Sequence, residues 1–364
     1  MFAIIREPMV ALGGPDADRV QPVVSLVAHD PGVPSFRLRL APLRPELERH
    51  GVDAQVVALG RGREWVRVAR VAKALRRSDL IVFQQVKLLA GERAFVSSLC
   101  PGWVLDVDDA IMFARPRRPG APPRKGALRQ LRFRRMAARC RLVVAGSRSL
   151  ADTIGDAASR LEILPTPVDL AAYPVASPPA RERVALAWIG LGSNLRYLEA
   201  LAPVLRRLGD SGVAYEVRVI CDRRPAMPGV PCVLVPWSVA TEGAALADCD
   251  IGLAPLPDDA WTRGKSGYRC IQYAAAGLPA VASPVGANRE VVRDGETGML
   301  ATSPEEWHAA LLALYRDRPL RLRMGAAARA RASEYHLARY ASSYLALIQE
   351  LLARRDELPS SAPA

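Results

Sequence analysis

Short apolar segments rich in β-branched residues alternate with helical patterns along the chain, and this alternation limits the possible fold more than any other feature. It is typical of parallel sheets whose strands are joined by crossover helices. In the first half the predicted strands are residues 20–28, 53–59, 79–83, 103–106 and 142–145. In the second half they are residues 184–189, 215–220, 232–235, 251–254 and 280–282.

A proline-rich passage separates the two series of strands. It contains Pro165, Pro167, Pro174 and the pair at 178–179, and their fixed φ angles suit a connector between domains. A chain of 364 residues also exceeds what one hydrophobic core usually serves. The sequence therefore predicts an α/β fold with two doubly wound, Rossmann-like domains, whose ligands bind beyond the carboxyl ends of the strands.

The predicted domain boundaries follow from this division. The first domain spans residues 1–168 and the second spans 169–336. A terminal helix at 337–356 is expected to pack back on the first domain, and residues 357–364 are expected to form a flexible tail.

The cysteines and the apolar segments indicate the cellular compartment in which the protein is found. The six cysteines include no CxxC pair and no histidine at metal-ligand spacing, which disfavours zinc and a disulfide framework. Arg6 and Glu7 interrupt the apolar start, so it lacks the core of a signal peptide. No apolar run approaches the roughly 20 residues of a membrane-spanning helix. We expect a cytoplasmic protein.

The net charge of +13 is concentrated between residues 115 and 141, where there is no acidic residue. The eleven basic residues there are Arg115, Arg117, Arg118, Arg124, Lys125, Arg129, Arg132, Arg134, Arg135, Arg139 and Arg141. This run is expected to attract an anionic surface such as the inner face of the cell membrane, which would make the protein peripheral there. The alternative is an ordinary solvated helix face. Nucleic acid is disfavoured because Phe133 is the only aromatic residue in the run.

Two loops are candidates to bind one anionic ligand. Ser266 is predicted to cap a helix that ends before Gly277, and Arg263 and Lys265 precede this cap. A helix N-terminus presents unpaired N–H groups and a partial positive charge, so it can hold a diphosphate without a metal. The second loop, residues 190–194, begins with Gly190 and follows a strand. Both loops follow strands at the same edge of one parallel sheet, so a single ligand can touch both.

These segments together resemble family 4 of the retaining glycosyltransferases, which have the two-domain GT-B fold. In the second half the resemblance covers 188–190 (WIG), 250–256 (DIGLAPL), 265–268 (KSGY), 272–279 (QYAAAGLP), 282–286 (ASPVG) and 290–298 (EVVRDGETG). In the first half it is looser and covers 35–39 (SFRLR), 106–109 (DVDD), 144–148 (VAGSR) and 164–169 (LPTPVD).

The resemblance implies a GT-B fold, with the domains facing each other across a cleft, and transfer of a sugar from a nucleotide diphosphate donor with retention at the anomeric carbon. No cofactor or metal is expected, and the expected acceptor is lipid-linked or a polysaccharide at the cytoplasmic membrane face. The implied donor-binding residues are Gly190, Arg196, Arg263, Lys265, Ser266, Gly267, Tyr268 and Gln272.

Three positions depart from the family pattern. The arginine that usually follows the glycine is Leu191 here, so Lys265 or Arg263 is expected to supply the missing charge. Two glutamates eight residues apart are replaced by Gly264 and Gln272. Asp258 or Asp259 is a candidate to contact the donor sugar instead.

These departures leave two alternatives to the predicted function. One is a non-catalytic GT-B protein that binds nucleotide or acts as a scaffold. The other is a transferase that acts on a soluble small molecule.

The acidic segment Asp106-Val107-Asp108-Asp109 has the DxD spacing of a divalent-cation site. We reject a metal site because the segment lies in the first half of the chain, which is expected to bind the acceptor, whereas the predicted diphosphate site lies in the second half. Asp108 or Asp109 is instead predicted to orient or deprotonate the acceptor hydroxyl. The alternative is an acidic cluster that caps a helix. The loop at 29–35 and Arg37 are also expected to touch the acceptor, with structural pairing of Arg37 as the alternative.

Overall fold

The computed structural model describes residues 21–60, 64–115, 126–176 and 182–354. Two six-stranded sheets contain parallel strands throughout. The first has the order β2-β1-β3-β4-β5-β6 and consists of β1 (Val23–Ala28), β2 (Asp53–Ala58), β3 (Leu80–Gln84), β4 (Trp103–Val107), β5 (Leu142–Ala145) and β6 (Leu161–Ile163). The second has the order β12-β11-β10-β7-β8-β9 and consists of β7 (Val184–Ile189), β8 (Tyr215–Cys221), β9 (Cys232–Pro236), β10 (Ile251–Ala254), β11 (Ala280–Ala282) and β12 (Gly298–Leu300).

Helices connect the strands and cover the sheets. In the first half they are α1 (Pro34–Arg39), α2 (Leu43–Arg49), α3 (Glu64–Arg76), α4 (Ala90–Leu99), α5 (Ala127–Arg139) and α6 (Arg148–Ile154). In the second half they are α7 (Leu195–Glu199), α8 (Ala202–Asp210), α9 (Glu242–Ala247), α10 (Ala260–Arg263), α11 (Tyr268–Ala275), α12 (Asn288–Val291), α13 (Pro304–Arg316), α14 (Arg318–Ala332) and α15 (Leu337–Ala353). The predicted α/β fold class with two Rossmann-like sheets is confirmed.

The ten predicted strands are present, and two short edge strands were not predicted. The predicted start of the first strand at residue 20 lies outside the described residues. The missed strands β6 and β12 have three residues each and lie at the edges of their sheets. Both contain a charged residue or a glycine and are only partly buried, so they lack the continuous apolar run that reveals the equally short β11.

The strand order places a crevice in each sheet. In the first sheet the chain runs outward in opposite directions from β1 and β3, and in the second sheet from β7 and β10. Loops that follow such a pair diverge to opposite faces, and the gap between them is where doubly wound proteins bind ligands. The two loops after β1 and β7 therefore mark the edge at which each domain can contribute to a site.

The terminal helix α15 packs on the first sheet. Tyr340, Tyr344 and Ile348 are buried in one apolar cluster with Leu26 of β1 and Val104 of β4. The predicted division between residues 168 and 169 stays a prediction, and the flexible tail at 357–364 lies outside the described residues.

The two passages that join the domains are hydrogen-bonded to each other. The N–H of Val168 donates to the carbonyl of Tyr335 at 2.8 Å, and the N–H of Leu337 donates to the carbonyl of Val168 at 3.0 Å. The two places at which the chain crosses between the domains, at Val168 and at Tyr335, therefore lie side by side. The prolines at 178–179 lie outside the described residues.

A buried ion pair ties the first sheet to α1. Arg39 donates from Nε and Nη2 to the two carboxylate oxygens of Asp106, at 2.7 and 2.8 Å, and both side chains are fully buried. Arg39 also donates to the carbonyl of Leu164 and lies 5.4 Å from the ring centre of Tyr340. Asp106 therefore holds the fold together and does not face a ligand.

Within the described ranges, no helix is both long and apolar enough to cross a bilayer.

Candidate functional site

A cleft that is partly open to solvent lies between the two domains. The first domain lines it with Pro34, Arg37 and Leu38 of α1 and with Asp109 after β4. The second domain lines it with the loop after β7, the start of α11 and the region around α9. The cleft therefore lies at the crevices that the strand order defines in both sheets.

The glycine loop forms one wall of this cleft. Gly190 directly follows β7, and a Cβ built on Gly192 would lie 2.8 Å from Oδ1 of Asp222. The N–H of Gly192 donates to the same oxygen at 2.8 Å. A side chain at Gly190 or Gly192 would collide with Arg269 or Asp222, so the close packing of this loop requires glycine at both positions.

The N-terminus of α11 forms the neighbouring part of the same wall, and Lys265, Ser266, Gly267, Tyr268 and Gln272 line the cleft there. Ser266 is not the N-cap, so that prediction was wrong. The cap is Gly267, whose φ of 66° is in the left-handed region that favours glycine. The helix ends as predicted, because Gly277 follows it with a φ of 74°. The first N–H groups of α11 thus face the same space as Gly190.

Arg269 is a cleft residue that the sequence did not reveal. Its Nη2 would lie 2.7 Å from a Cβ on Gly190, and its Nε donates to the carbonyl of Ile189 at 2.5 Å. The guanidinium lies over the Trp188 ring, 4.6 Å from its centre. A cation therefore stands beside the glycine although Leu191 supplies none. The available signal was the position of Arg269 in the first turn of a helix that starts at the cleft.

The two cations that were expected to replace the charge missing at Leu191 have different surroundings. Lys265 lines the cleft, and its Nζ lies 3.6 Å from Oδ1 of Asp109 in the other domain. Arg263 instead makes a bidentate pair with Asp258 at 2.6 and 3.1 Å, and both side chains are exposed. This pairing places Arg263 outside the cleft wall and lowers the pKa of Asp258.

Arg196 and Asp259 also lie away from the cleft wall. The guanidinium of Arg196 stacks 4.9 Å from the ring centre of Tyr197 and donates to its hydroxyl at 3.0 Å. Asp259 caps α10 by accepting from the N–H groups of Trp261 and Thr262, both at 2.9 Å. Asp258 and Asp259 thus both take part in local structure, through the pair with Arg263 and the cap of α10.

Gly264 and Gln272 occupy different parts of the site. A Cβ on Gly264 would lie 2.3 Å from the Cβ of Ala110 in the first domain, so a side chain does not fit there. Gln272 is buried at the cleft, and its Nε2 donates to the hydroxyl of Tyr173 at 3.0 Å.

Asp108 and Asp109 follow β4 at the first-domain edge of the site. Asp108 is buried and accepts hydrogen bonds from the side-chain amides of Gln84 and Gln85, with Gln84 at 3.1 Å. Burial first, and then the negative charge of Asp109, raise the pKa of Asp108 to about 7. Gln85 has a φ of 55°, which is uncommon for a residue other than glycine. Neither aspartate caps a helix, but Asp109 lines the cleft.

Arg37 reaches across the cleft. Its guanidinium lies 5.6 Å from the ring centre of Trp237, which follows β9 in the second domain. The structure thus places Arg37 in contact with an aromatic ring.

Further contacts hold the domains against each other. Glu290 accepts from the N–H groups of Arg148 and Ser149, at 3.1 and 3.0 Å, at the start of α6. The hydroxyl of Ser149 donates to the carbonyl of Arg263 at 3.0 Å. These three hydrogen bonds join residues of the first domain to residues of the second.

The basic run between residues 115 and 141 is not one surface. Residues 116–125, with four of its basic residues, lie outside the described part of the chain. Arg115 donates to Asn194 of the glycine loop at 2.8 Å, and Arg139 stacks on Trp103 at 4.6 Å. Arg129 and Arg135 lie exposed on α5.

Fold and site together define a two-domain, Rossmann-like α/β protein whose interdomain cleft is lined by a glycine loop, a helix N-terminus and basic side chains. Residues 182–317, which are less than half of the chain, match the family model described as glycosyl transferases group 1. This match contains the glycine loop and α11. No curated protein sequence matches the chain significantly.

Solved structures agree on the architecture. Sucrose-phosphate synthase from Thermosynechococcus elongatus is similar with a TM-score of 0.73 and 13% identity, covering 92% of this chain and 100% of that one. HepE from Anabaena, in complex with UDP-glucose, has a TM-score of 0.67 and 15% identity, covering 90% and 99%. The pneumococcal O-GlcNAc transferase GtfA, in complex with UDP and GlcNAc, has a TM-score of 0.60 and 12% identity, covering 79% and 60%. The fold is the GT-B fold of these proteins, as predicted.

Proposed function

We propose that this protein transfers a sugar from a nucleoside diphosphate sugar to an acceptor hydroxyl, with retention at the anomeric carbon. The observation that carries the proposal is the convergence of Gly190, Arg269 and the N-terminus of α11 on one wall of the cleft. Backbone N–H groups, a helix dipole and a guanidinium together suit a diphosphate. The group 1 match over these segments supports the sugar transfer. Retention is what the resemblance of the motifs to family 4 implies.

In this proposal the second domain stabilises the leaving diphosphate and the first domain presents the acceptor. Arg269 and Lys265 neutralise the negative charge that develops as the bond to the sugar breaks. Asp108 or Asp109 orients the acceptor hydroxyl and takes its proton. A base works best with a pKa near the working pH, and the pKa of about 7 for Asp108 satisfies this. Rotation on the paired crossings at Val168 and Tyr335 opens the cleft for exchange.

The need for a metal is a separate part of the proposal. Among the residues that the structure describes, no group of three or more His, Cys, Asp or Glu is arranged to hold a metal ion. We propose that Arg269, Lys265 and the helix N-terminus supply the positive charge themselves. Activity that is unchanged by EDTA would support this, and activity that requires added Mg²⁺ or Mn²⁺ would contradict it.

Donor hydrolysis tests the proposed reaction. The protein is incubated with UDP-, GDP-, ADP- and dTDP-sugars, and release of nucleotide is followed by chromatography. Slow release from one donor is expected for the wild type, with loss of release in Arg269→Gln. Tight nucleotide binding without any release would instead favour the non-catalytic alternative.

We further propose that the acceptor is lipid-linked or a polysaccharide at the cytoplasmic face of the membrane. The exposed face of α5 supports this, because Leu128 is 60% exposed and Leu131 is 45% exposed beside Arg129 and Arg135. An apolar and basic helix face suits an anionic bilayer surface.

Vesicle flotation tests the membrane part of the proposal. We expect binding to vesicles that contain phosphatidylglycerol and weaker binding when Arg129 and Arg135 are changed to Gln. Equal binding to neutral and anionic vesicles would reject it. Full transfer activity onto a water-soluble acceptor without vesicles would favour the soluble-acceptor alternative.

A further inference from the structure

A buried carboxylate lies at the end of the cleft beyond the start of α11. Glu242 is the first residue of α9, is 7% exposed and lines the cleft. Its Oε1 accepts from the hydroxyl of Tyr173 at 2.7 Å, and its Oε2 accepts from Nε1 of Trp237 at 2.7 Å. Each carboxylate oxygen can accept two hydrogen bonds, so these two donors leave acceptor capacity on both oxygens.

Two hydrogen bonds connect this carboxylate to the connector and to α11. Gln272 donates to the hydroxyl of Tyr173, and Tyr173 in turn donates to Glu242. The direction of both hydrogen bonds is consistent with a Glu242 carboxylate that acts only as an acceptor. Tyr173 precedes β7, and Gln272 lies on α11. The hydrogen bonds from Gln272 to Tyr173 and from Tyr173 to Glu242 therefore hold the carboxylate in position through both segments.

Distance along α11 relates the carboxylate to the anion site. Gln272 lies four residues after Tyr268, which is about 6 Å along the helix axis. Gln272 and Glu242 both line the cleft, and one hydroxyl group joins them. Glu242 thus lies in the same cleft as the N-terminus of α11, on the side of Gln272, where a group bonded to a phosphate of the ligand can reach it.

A carboxylate repels phosphate and pairs with groups that donate hydrogen bonds. In a nucleoside diphosphate, the group bonded directly to the α-phosphate is the ribose, whose 2′- and 3′-hydroxyls are two adjacent donors. We propose that Glu242 accepts from these two hydroxyls and selects ribonucleotides, with Tyr173 and Trp237 as positioning residues. This proposal rests on the proposed function, because it requires a nucleoside diphosphate in the cleft.

The test compares ribonucleotides with their deoxy analogues. Binding of UDP, GDP and ADP is first measured by calorimetry, and the tightest ligand is then compared with its 2′-deoxy and 3′-deoxy forms. For the wild type we expect at least one deoxy form to bind about tenfold or more weakly, because a buried acceptor loses its partner. In Glu242→Gln the ribonucleotide should bind more weakly, and the difference between ribose and deoxyribose should largely disappear.

Two further variants guard against a purely structural effect. Trp237→Phe removes one donor to Glu242 while keeping an aromatic ring, and it should reduce the same discrimination partly. Glu305→Gln is the matched control, because the Glu305 side chain is 72% exposed on α13, and it should leave the discrimination unchanged.

Each outcome has a distinct meaning. Equal affinity of the wild type for the ribo and deoxy forms overturns the assignment of Glu242, as does an equal loss for both forms in Glu242→Gln. The three ribonucleotides and dTDP are tested before any analogue: binding of dTDP alone overturns the assignment of Glu242, and absence of binding to all four nucleotides overturns the proposed function itself.

Discussion

The guanidinium of Arg269 occupies the space beside Gly190 that a side chain there would fill, with Nη2 2.7 Å from the position of a Cβ. The cation beside the glycine therefore comes from the helix of the same wall and not from the loop. Because Arg269 also donates to the carbonyl of Ile189, its side chain is fixed before any ligand binds. Such preorganisation reduces the entropy that is lost on binding.

The first prediction concerns this arginine. Arg269→Gln should weaken binding of the nucleoside diphosphate by about 1.5–3 kcal/mol, because charge-assisted hydrogen bonds to the diphosphate are lost. The matched control is Arg263→Gln, which removes an arginine that pairs with Asp258 at the surface. Calorimetry with UDP, GDP and ADP measures both. A larger loss in Arg263→Gln than in Arg269→Gln would contradict the assignment.

The second prediction concerns the pH dependence of transfer. Asp108 must be ionised to accept a proton, and its pKa is raised to about 7. The ratio kcat/KM should therefore rise with pH below about 7 and level off above it. Asp109→Asn should move this rise to lower pH, because the charge of Asp109 is the second cause of the raised pKa. Asp108→Asn should lower kcat by about 10²–10⁴-fold.

A pH profile without a limb near 7, or one that Asp109→Asn leaves in place, would show that Asp108 does not act as the base. Far-ultraviolet circular dichroism of both variants at pH 6 and pH 8 serves as the control for folding.

The third prediction follows from the same shift and concerns stability. An aspartate with a pKa raised from its unfolded value of 3.8 binds more protons in the folded state. The free energy of unfolding should therefore fall as the pH rises from about 4 to about 7, and Asp108→Asn should lack this part of the fall. Urea unfolding at pH 5 and pH 8 measures it. A variant that follows the wild type at both values would contradict the raised pKa.

The sequence was sufficient for ten of the twelve strands and for much of the cleft, because both depend on local patterns. Strands such as Val184–Ile189 are continuous apolar runs, and the order of elements determines which loops meet. Gly190, Lys265 and Gln272 line the cleft for this reason.

The remaining features depend on contacts between distant segments. The pairing of Asp106 with Arg39 and of Arg263 with Asp258 removes charged residues from the candidate site, and no spacing rule reveals such pairs. The sequence did not indicate Glu242, because its hydrogen-bond partners come from other segments. Tyr173 lies in the connector, and Trp237 lies in the loop after β9. A serine is a common cap, so the sequence predicts a start of α11 that is one residue too early, whereas a glycine in the left-handed region caps this helix.

The fourth prediction concerns closure of the cleft. A Cβ on Gly264 would lie 2.3 Å from the Cβ of Ala110, far inside van der Waals contact. Gly264→Ala should therefore hold the domains apart and lower kcat, with an increased radius of gyration in small-angle scattering. Ala110→Gly in the same chain removes the methyl group in that contact and should restore part of the activity. Unchanged kcat and radius in the single variant would show that the two loops separate freely.

The fifth prediction concerns the buried ion pair of the first domain. Asp106→Asn leaves the guanidinium of Arg39 in a fully buried position without its counter-charge, and loss of one member of such a pair costs about 3–5 kcal/mol. The matched control is Asp156→Asn, whose partner Arg134 lies on the surface, so water solvates both groups after the change. Midpoints of urea unfolding, followed by circular dichroism, should fall strongly for the first variant and hardly for the second. Equal midpoints for the two variants would mean that Arg39 finds other acceptors, among which the carbonyl of Leu164 is already within 2.9 Å.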